Sequence, residues 1–134
     1  MRLHEQRLWD TMKRRLLGRK MWRVENAVFV GMPDVITVDG GRSAWVELKA
    51  PKMPARPTTR VLGSSDHPLS REQINFHLDW TREGGRSWIL IRCRPDLQLF
   101  LVEGALADEV NEMTAAQLCE ASMASTWPEV NSTL

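Results

Sequence analysis

The chain has 134 residues, of which 43% are hydrophobic and 26% are charged, values typical of one soluble globular domain. No stretch approaches the roughly 18 consecutive apolar residues of a membrane span, and no signal-peptide pattern opens the sequence. The two cysteines, Cys93 and Cys119, form no CxxC pair and suit a reducing compartment. We therefore expect a single domain over residues 1–134, without a membrane partner, in the cytoplasm.

The net charge of +1 conceals an uneven distribution along the chain. Residues 1–95 contain all eighteen lysines and arginines against ten acidic residues, a net charge of +8, whereas residues 96–134 contain seven acidic residues and no basic one. A basic part of this kind suits a polyanionic partner such as nucleic acid, although a solvated charged face would explain it as well.

The first predicted element is an amphipathic helix over residues 3–17. Leu8, Trp9 and Met12 recur at helical spacing and form its apolar face. Glu5 shares this face, because it precedes those three residues by three, four and seven positions. An ion pair with an arginine of the same helix would be an alternative explanation for this inward carboxylate. A strand-like run, AVFV, follows within residues 21–30.

Residues 34–49 predict a β-hairpin, with strands near 34–39 and 43–49 around a Gly-Gly turn. With a two-residue loop, the numbers of paired residues sum to 81, so Asp34 stands opposite Glu47. The Cα atoms of such a pair lie about 4.5–5.5 Å apart. Because like charges in this position destabilise a sheet, we predict that a bound divalent cation compensates them.

Lys49 follows Glu47 by two positions and therefore lies on the same face of the strand. Carboxylates on adjacent strands form a minimal site for Mg²⁺ or Mn²⁺, and a nearby lysine can activate water or neutralise charge on a phosphate. The alternative is structural: Asp34 begins a strand, and Glu47 and Lys49 form a surface ion pair.

Residues 51–69 are basic and rich in proline, and they predict a long mobile loop. The remaining predicted elements are a helix over 70–83, strands at 88–93 and 97–103, and a helical pattern over 105–122 that breaks near Thr114. The order α, β, β, β, α, β, β, α predicts an α/β fold in which helices pack on a mixed sheet.

The segments GMPDVI and WVELKAPK, followed by LSREQ and the strand WILIR, resemble the PD-(D/E)XK nuclease superfamily, and more closely its VRR-NUC branch. The resemblance covers roughly residues 3–93. It implies a restriction-endonuclease-like fold, in which a mixed β-sheet with an αβββαβ core is flanked by helices. The core then spans about 3–103, with an acidic C-terminal helical segment over about 104–134.

The resemblance also implies roles for the matching residues. Asp34 and Glu47 would bind Mg²⁺ or Mn²⁺ together with the backbone carbonyl of Leu48, and Lys49 would be the catalytic lysine. Glu5 occupies the position of an acidic residue on the family's first helix, which reaches the metal directly or through water.

Gln73 matches the family's motif glutamine and joins the candidate catalytic residues. The segment from Ser70 to Gln73 also has the form of a helix capping box, and the two roles are compatible. No ligand spacing connects His4, His67 and His77, which we expect at the surface or partly buried. We expect Trp22, Trp80 and Trp88 in the core rather than stacked on bases.

Together with the resemblance, these residues predict a metal-dependent endonuclease that hydrolyses phosphodiester bonds in structured DNA. The resemblance, to small proteins that include Holliday-junction-resolvase-like endonucleases, implies a Holliday junction or other branched DNA as substrate. Small proteins of this kind occur in bacteriophages and bacteria, which places this one in a bacterial or phage-infected cell. Symmetrical cutting needs two active sites and implies a homodimer. The phosphate contacts are predicted at Lys52, Arg56, Arg60, Lys13 and Arg14.

Two alternatives stay open at this point. The first is a nuclease of the same superfamily that acts on flaps, single strands or nicked duplex. The second is a DNA-binding accessory protein without catalysis, which the presence of Asp34, Glu47 and Lys49 together argues against.

Overall fold

The computed structural model describes residues 2–25 and 29–134. The elements are α1 (Leu3–Arg15), β1 (Lys20–Arg23), β2 (Val35–Asp39), β3 (Arg42–Lys49), α2 (Arg71–Arg82), β4 (Ser87–Cys93), β5 (Gln98–Glu103), a 3-10 turn (Gly104–Leu106), α3 (Ala107–Val110), α4 (Ala115–Ala121) and α5 (Trp127–Thr133). The predicted order α, β, β, β, α, β, β is confirmed, and three short helices follow β5 where the prediction has one helical element. No helix of the described residues is long and apolar enough to cross a membrane.

The five strands form one mixed sheet in the order β1-β2-β3-β4-β5. β3 and β4 are parallel, and the other neighbouring pairs are antiparallel. A parallel pair requires a crossover connection, which α2 provides between these two strands. The central strands are therefore covered by α2 on one face, and the opposite face is covered by α1.

Each face of the sheet buries its own apolar cluster. The α1 face includes Leu8, Met12, Val46, Leu48, Leu90 and Val130, and the α2 face includes Ile74, Ile89, Ile91, Phe100, Val110 and Leu118. Because side chains alternate along a strand, Glu47 and Lys49 point to the α2 face, beside their parallel partners Ile89 and Ile91. This alternation places two charged side chains inside an otherwise apolar layer.

The segment over 51–69 is tied to the core at several points. Val61, Leu62 and Leu69 are buried, and the Val61 backbone N–H donates to the carbonyl of Met113 at 3.0 Å. The Asn111 side chain bonds both the N–H and the C=O of Leu69, each at 2.9 Å. These contacts shape the segment, and its predicted mobility stays a prediction.

The C-terminal segment ends in α5, which lies beyond the helical pattern over 105–122 but within the segment over about 104–134 that we expect to be helical. Its anchor is Arg19, a buried guanidinium that donates to the Asn131 side chain at 3.1 Å and to the carbonyls of Asn131 and Leu134 at 3.0 and 3.3 Å. The break predicted near Thr114 is confirmed, since Thr114 is the N-cap of α4.

Several local predictions are wrong. The AVFV run lies partly on residues 26–28, outside the described residues, and its last two residues form a bend and a turn rather than a strand. Trp22 and Trp80 are 54% and 40% exposed, whereas Trp88 is buried as expected. Trp22 and Trp80 belong to an aromatic surface that also includes Ile36, Trp45 and Phe76.

Candidate active site

The hairpin forms in the predicted register. Val35 pairs with Val46, so the numbers of paired residues sum to 81. Asp34 immediately precedes β2 and stands opposite Glu47 in this register. Its Oδ2 accepts a hydrogen bond from the Leu48 backbone N–H at 2.8 Å, which fixes the carboxylate against the end of β3. The two acidic groups are therefore held at one end of the central strands.

Gly31, three residues before Asp34, occupies a position where a side chain would collide with α2. Its φ is +93°, and a Cβ at this position would lie 2.5 Å from the carbonyl oxygen of Glu72 in the first turn of α2. Any side chain here would push the approach to β2 away from α2. The glycine therefore brings the Asp34 strand close to the helix that carries Gln73.

Glu47 is a buried carboxylate, with 2% of its surface exposed. Its Oε2 accepts a hydrogen bond from Gln73 Nε2 at 3.3 Å, whereas its Oε1 has no hydrogen-bond partner among the described residues. Burial raises the pKa of Glu47 well above its ordinary value, and the charge of Asp34 and a hydrogen bond with its side chain raise it further. Lys49 opposes this effect by stabilising the charged form.

Lys49 is also buried, and its ammonium donates to Gln73 Oε1 at 3.3 Å and to the Pro68 carbonyl at 3.4 Å. The carboxamide of Gln73 thus bridges Lys49 and Glu47. The same Oε1 accepts from the backbone N–H of Ser70 at 2.9 Å, so the capping box is also formed. Both roles considered for Gln73 are compatible in this geometry.

The two roles of Gln73 can be separated by a matched pair of substitutions. Ser70→Ala removes the cap and should cost about 1 kcal/mol of unfolding free energy, with cleavage nearly unchanged. Gln73→Ala removes the cap partner and the contacts with Lys49 and Glu47, so we expect a similar loss of stability. We also expect a cleavage rate about 10–100-fold lower, as when a residue that orients a metal ligand is removed. Urea unfolding and single-turnover cleavage provide the two readouts. Equal cleavage rates for the two variants would contradict a role of Gln73 in the site.

His77 is a site residue that the sequence analysis missed, and the expectation of a surface or partly buried histidine is wrong. It is fully buried, with Nδ1 at 2.8 Å from Ser87 Oγ and Nε2 at 4.0 Å from Glu47 Oε1. Burial, and then the charge of Lys49, lowers the pKa of His77 to about 4, so the ring is neutral at pH 7. The available signal was its position four residues after Gln73, on the same face of α2.

Glu5 reaches the site from α1. It lies on the buried face of that helix with Leu8, Trp9 and Met12, as its spacing predicts. Its negative charge is among the causes that raise the pKa of Glu47. The carboxylates of Asp34 and Glu5 therefore both act on Glu47 at this end of the sheet.

The donor set fits a divalent cation. Within residues 2–25 and 29–134, no group of three or more histidine, cysteine, aspartate or glutamate side chains is arranged as a complete metal-binding cluster. Mg²⁺, however, is commonly held by one or two carboxylates and keeps several waters. The facing Asp34 and Glu47, together with the unpartnered Glu47 Oε1, match such an open site.

The phosphate contacts predicted in the loop differ in their surroundings. Lys52 is exposed and lines a cleft beside the site, and Arg56 is exposed. Arg60 forms an ion pair with Glu112 of the acidic C-terminal segment at 2.7 Å. Both members of this pair are well exposed, and surface pairs of this kind contribute about 0–1 kcal/mol to stability. The phosphate contact of Arg60 stays a prediction.

The phosphate contacts predicted on α1 lie away from that cleft. Lys13 forms an ion pair with Asp10 at 3.6 Å and lies 5.3 Å above the ring of Trp9. Arg14 donates a long hydrogen bond to Thr11 Oγ1 at 3.4 Å. Neither residue lines the cleft, and their contact with nucleic acid stays a prediction.

Comparison with known proteins agrees at the level of the fold. The chain is similar to Archaeoglobus fulgidus Hjc, a Holliday junction resolvase from an archaeal hyperthermophile, with a TM-score of 0.51 and 16% sequence identity over 77% of this chain and 76% of that chain. The fold is restriction-endonuclease-like. No protein-family model and no curated protein sequence matches the chain. The VRR-NUC assignment therefore stays a prediction.

Proposed function

We propose that the protein is a Mg²⁺- or Mn²⁺-dependent endonuclease that hydrolyses phosphodiester bonds in branched DNA. One observation carries the proposal: the buried Glu47 carboxylate faces Asp34 and has an unpartnered oxygen among the described residues, while Lys49 lies on the same face. A sheet whose purpose is structural gains nothing from two opposed carboxylates. A hydrolytic centre needs both of them and the ammonium group.

Each residue has a distinct task in this mechanism. When bound, the cation supplies Lewis-acid polarisation of the phosphoryl oxygen and makes a water more nucleophilic. Asp34 and Glu47 would hold it, together with the Leu48 carbonyl and Glu5. Lys49 as an ammonium neutralises the charge that develops on the phosphate; only as a neutral amine could it instead accept a proton from the attacking water.

Gln73 positions the two central groups of the mechanism. Because its amide donates to Glu47 and accepts from Lys49, a rotation of either side chain would break a hydrogen bond. Such fixed geometry lowers the barrier, since the groups need no reorganisation when the reaction occurs.

The likeness to a Holliday junction resolvase supports branched DNA as the substrate. A four-way junction is cut symmetrically only when two active sites act together, so we propose a homodimer with an isologous two-fold interface. The aromatic surface is the candidate interface. It runs across the strands from Trp22 through Ile36 to Trp45, and Trp45 packs against Phe76 and Trp80 of α2.

The dimer can be tested with one substitution at this surface. Trp22 lies on the edge strand β1 and is 54% exposed. We expect wild type to sediment at about twice its chain mass of 15.4 kDa at micromolar concentration, and Trp22→Glu to sediment as the monomer. Met123 is equally exposed, at 53%, and follows α4, which packs on β5 at the opposite edge, so Met123→Glu is the control. A monomeric wild type would contradict the dimer.

The experiment that tests the function is a comparison of substrates. Synthetic four-way junctions, flaps, nicked duplex and linear duplex are incubated with Mg²⁺, Mn²⁺ or EDTA, and products are resolved on denaturing gels. We expect metal-dependent cleavage with a preference for four-way junctions. Preference for flaps or nicks would assign the alternative nuclease specificity, and DNA binding without cleavage of any substrate would favour the accessory role.

A further inference from the structure

The cleft beside the site is larger than a single phosphate requires. Its volume is about 510 Å³, within the range of about 300–1,000 Å³ that is usual for ligand pockets. Glu5 and Lys49 belong to its lining, so its occupant lies next to the reacting phosphate. A base-paired duplex presents a convex surface, whereas a concave pocket of this kind accepts a single extruded nucleotide.

One wall of the cleft is apolar and firmly held. It is formed by Pro51, Met53 and Pro54 at the end of β3. The Met53 N–H donates to the Arg94 carbonyl and the Arg94 N–H to the Pro51 carbonyl, both at 2.8 Å. Arg94 Nε also donates to the Ala50 carbonyl at 3.1 Å. A preorganised wall of this composition suits the flat face of a base, to which a thioether is also attracted.

The remaining lining includes three cations as well as the carboxylates of Glu5 and Asp66. Arg2, Lys52 and Arg94 all border the cleft, and within the described residues none of them forms a salt bridge with a carboxylate. Arg60, which lies outside the cleft, is paired with Glu112 instead. Three available cations beside an apolar wall match a ligand that combines a base with phosphate groups.

We propose that this cleft binds one unpaired nucleotide of the substrate strand, directly adjacent to the scissile phosphate. The base lies against the wall formed by Pro51, Met53 and Pro54, and its phosphate contacts Lys52 and Arg94. This inference rests on the proposed endonuclease function and specifies its substrate. Extraction of a nucleotide from a duplex costs free energy that an already unpaired nucleotide avoids. The enzyme therefore selects strands that are unpaired beside the cut.

Fluorescence of 2-aminopurine tests the occupant of the cleft. The cut is first mapped with Mn²⁺, and 2-aminopurine is then placed on either side of it in the same DNA. EDTA prevents cleavage during the binding measurement. We expect a several-fold increase in fluorescence at one of the two positions when wild type binds, because the base leaves the stack.

Two variants connect this signal to the cleft. Ala55→Trp fills the cleft at an exposed alanine, and Lys52→Ala removes a phosphate contact. We expect both to suppress the fluorescence increase. Ala105→Trp and Arg42→Ala, at exposed positions that do not line the cleft, should leave it unchanged.

Cleavage rates provide a second readout. A mismatch at the nucleotide beside the cut should accelerate cleavage by wild type about tenfold, and this advantage should disappear in Ala55→Trp. Cleavage without a fluorescence change, and with equal rates on matched and mismatched DNA, would overturn the inference and leave the endonuclease function intact. Failure to cleave any DNA would overturn the function and this inference with it.

Discussion

Cleavage by the Lys49→Met protein is expected to be about 10²–10⁴-fold slower than that of wild type, the usual contribution of a positioned acid–base group. The ammonium lies within hydrogen-bond distance of Gln73, which also donates to Glu47. Methionine preserves most of the buried aliphatic stem, so the substitution removes the charge with little loss of packing. Single-turnover cleavage of a labelled junction measures the effect.

Lys49→Met also removes a charge that favours ionised Glu47, so the cation must be supplied in excess. Under these conditions DNA binding should be nearly unchanged, which shows that the defect is in the chemical step. Arg42→Met is the control, because Arg42 is exposed and pairs with Asp39 at the hairpin turn, at the opposite end of β3 from Lys49. Cleavage by Lys49→Met at the wild-type rate would exclude Lys49 from catalysis.

The Glu47→Gln protein is expected to be more stable than wild type without metal, although it should be inactive. The pKa of Glu47 is raised by burial and by Asp34, so the folded chain holds this proton at a higher pH than the unfolded chain. The contribution of protonated Glu47 to the free energy of unfolding is fully present below the ordinary glutamate pKa of about 4.3. This contribution is lost as the pH rises through the raised pKa of Glu47 in the folded protein.

Glutamine keeps an acceptor for the amide of Gln73 and removes the buried charge. At pH 7–8 in EDTA we expect a gain of about 0.5–2 kcal/mol, typical when a destabilised functional site is relieved, measured by thermal unfolding. Wild type should gain stability as the pH falls from 8 to 5, and Glu47→Gln should gain less. Glu103→Gln, an exposed residue at the end of β5, is the control. A lower melting temperature for Glu47→Gln at pH 8 in EDTA would contradict an uncompensated carboxylate at this site.

Much of the site follows from local rules. A two-residue Gly-Gly loop allows one register, so the pairing of Asp34 with Glu47 could be obtained by counting. The inward position of Glu5 depends only on helical periodicity. The crossover helix follows from its capping signal, which the observed Ser70 cap matches.

The features that sequence reasoning missed depend on contacts between distant segments. His77 is buried because α2 packs over β3 and β4, which brings it to Ser87 and Glu47. Its spacing along α2 is the same as that of any residue on the inward face, so the spacing alone does not mark it as part of the site. The bounds of α5 do not follow from the 105–122 pattern, because this helix is held by Arg19, which is more than a hundred positions away. Trp22 is exposed because β1 is an edge strand, and strand order is a property of the whole sheet.

Calorimetric titration with Mn²⁺ at pH 7.5, in the absence of DNA, measures whether Asp34 and Glu47 form a metal site. We expect a saturable metal site in wild type that is lost or greatly weakened in both Asp34→Asn and Glu47→Gln. Saturation at about 100 times the dissociation constant should stabilise wild type by about 2.7 kcal/mol and should not stabilise the variants. Equal Mn²⁺ binding by all three proteins would contradict the assignment of the opposed carboxylates as the metal centre.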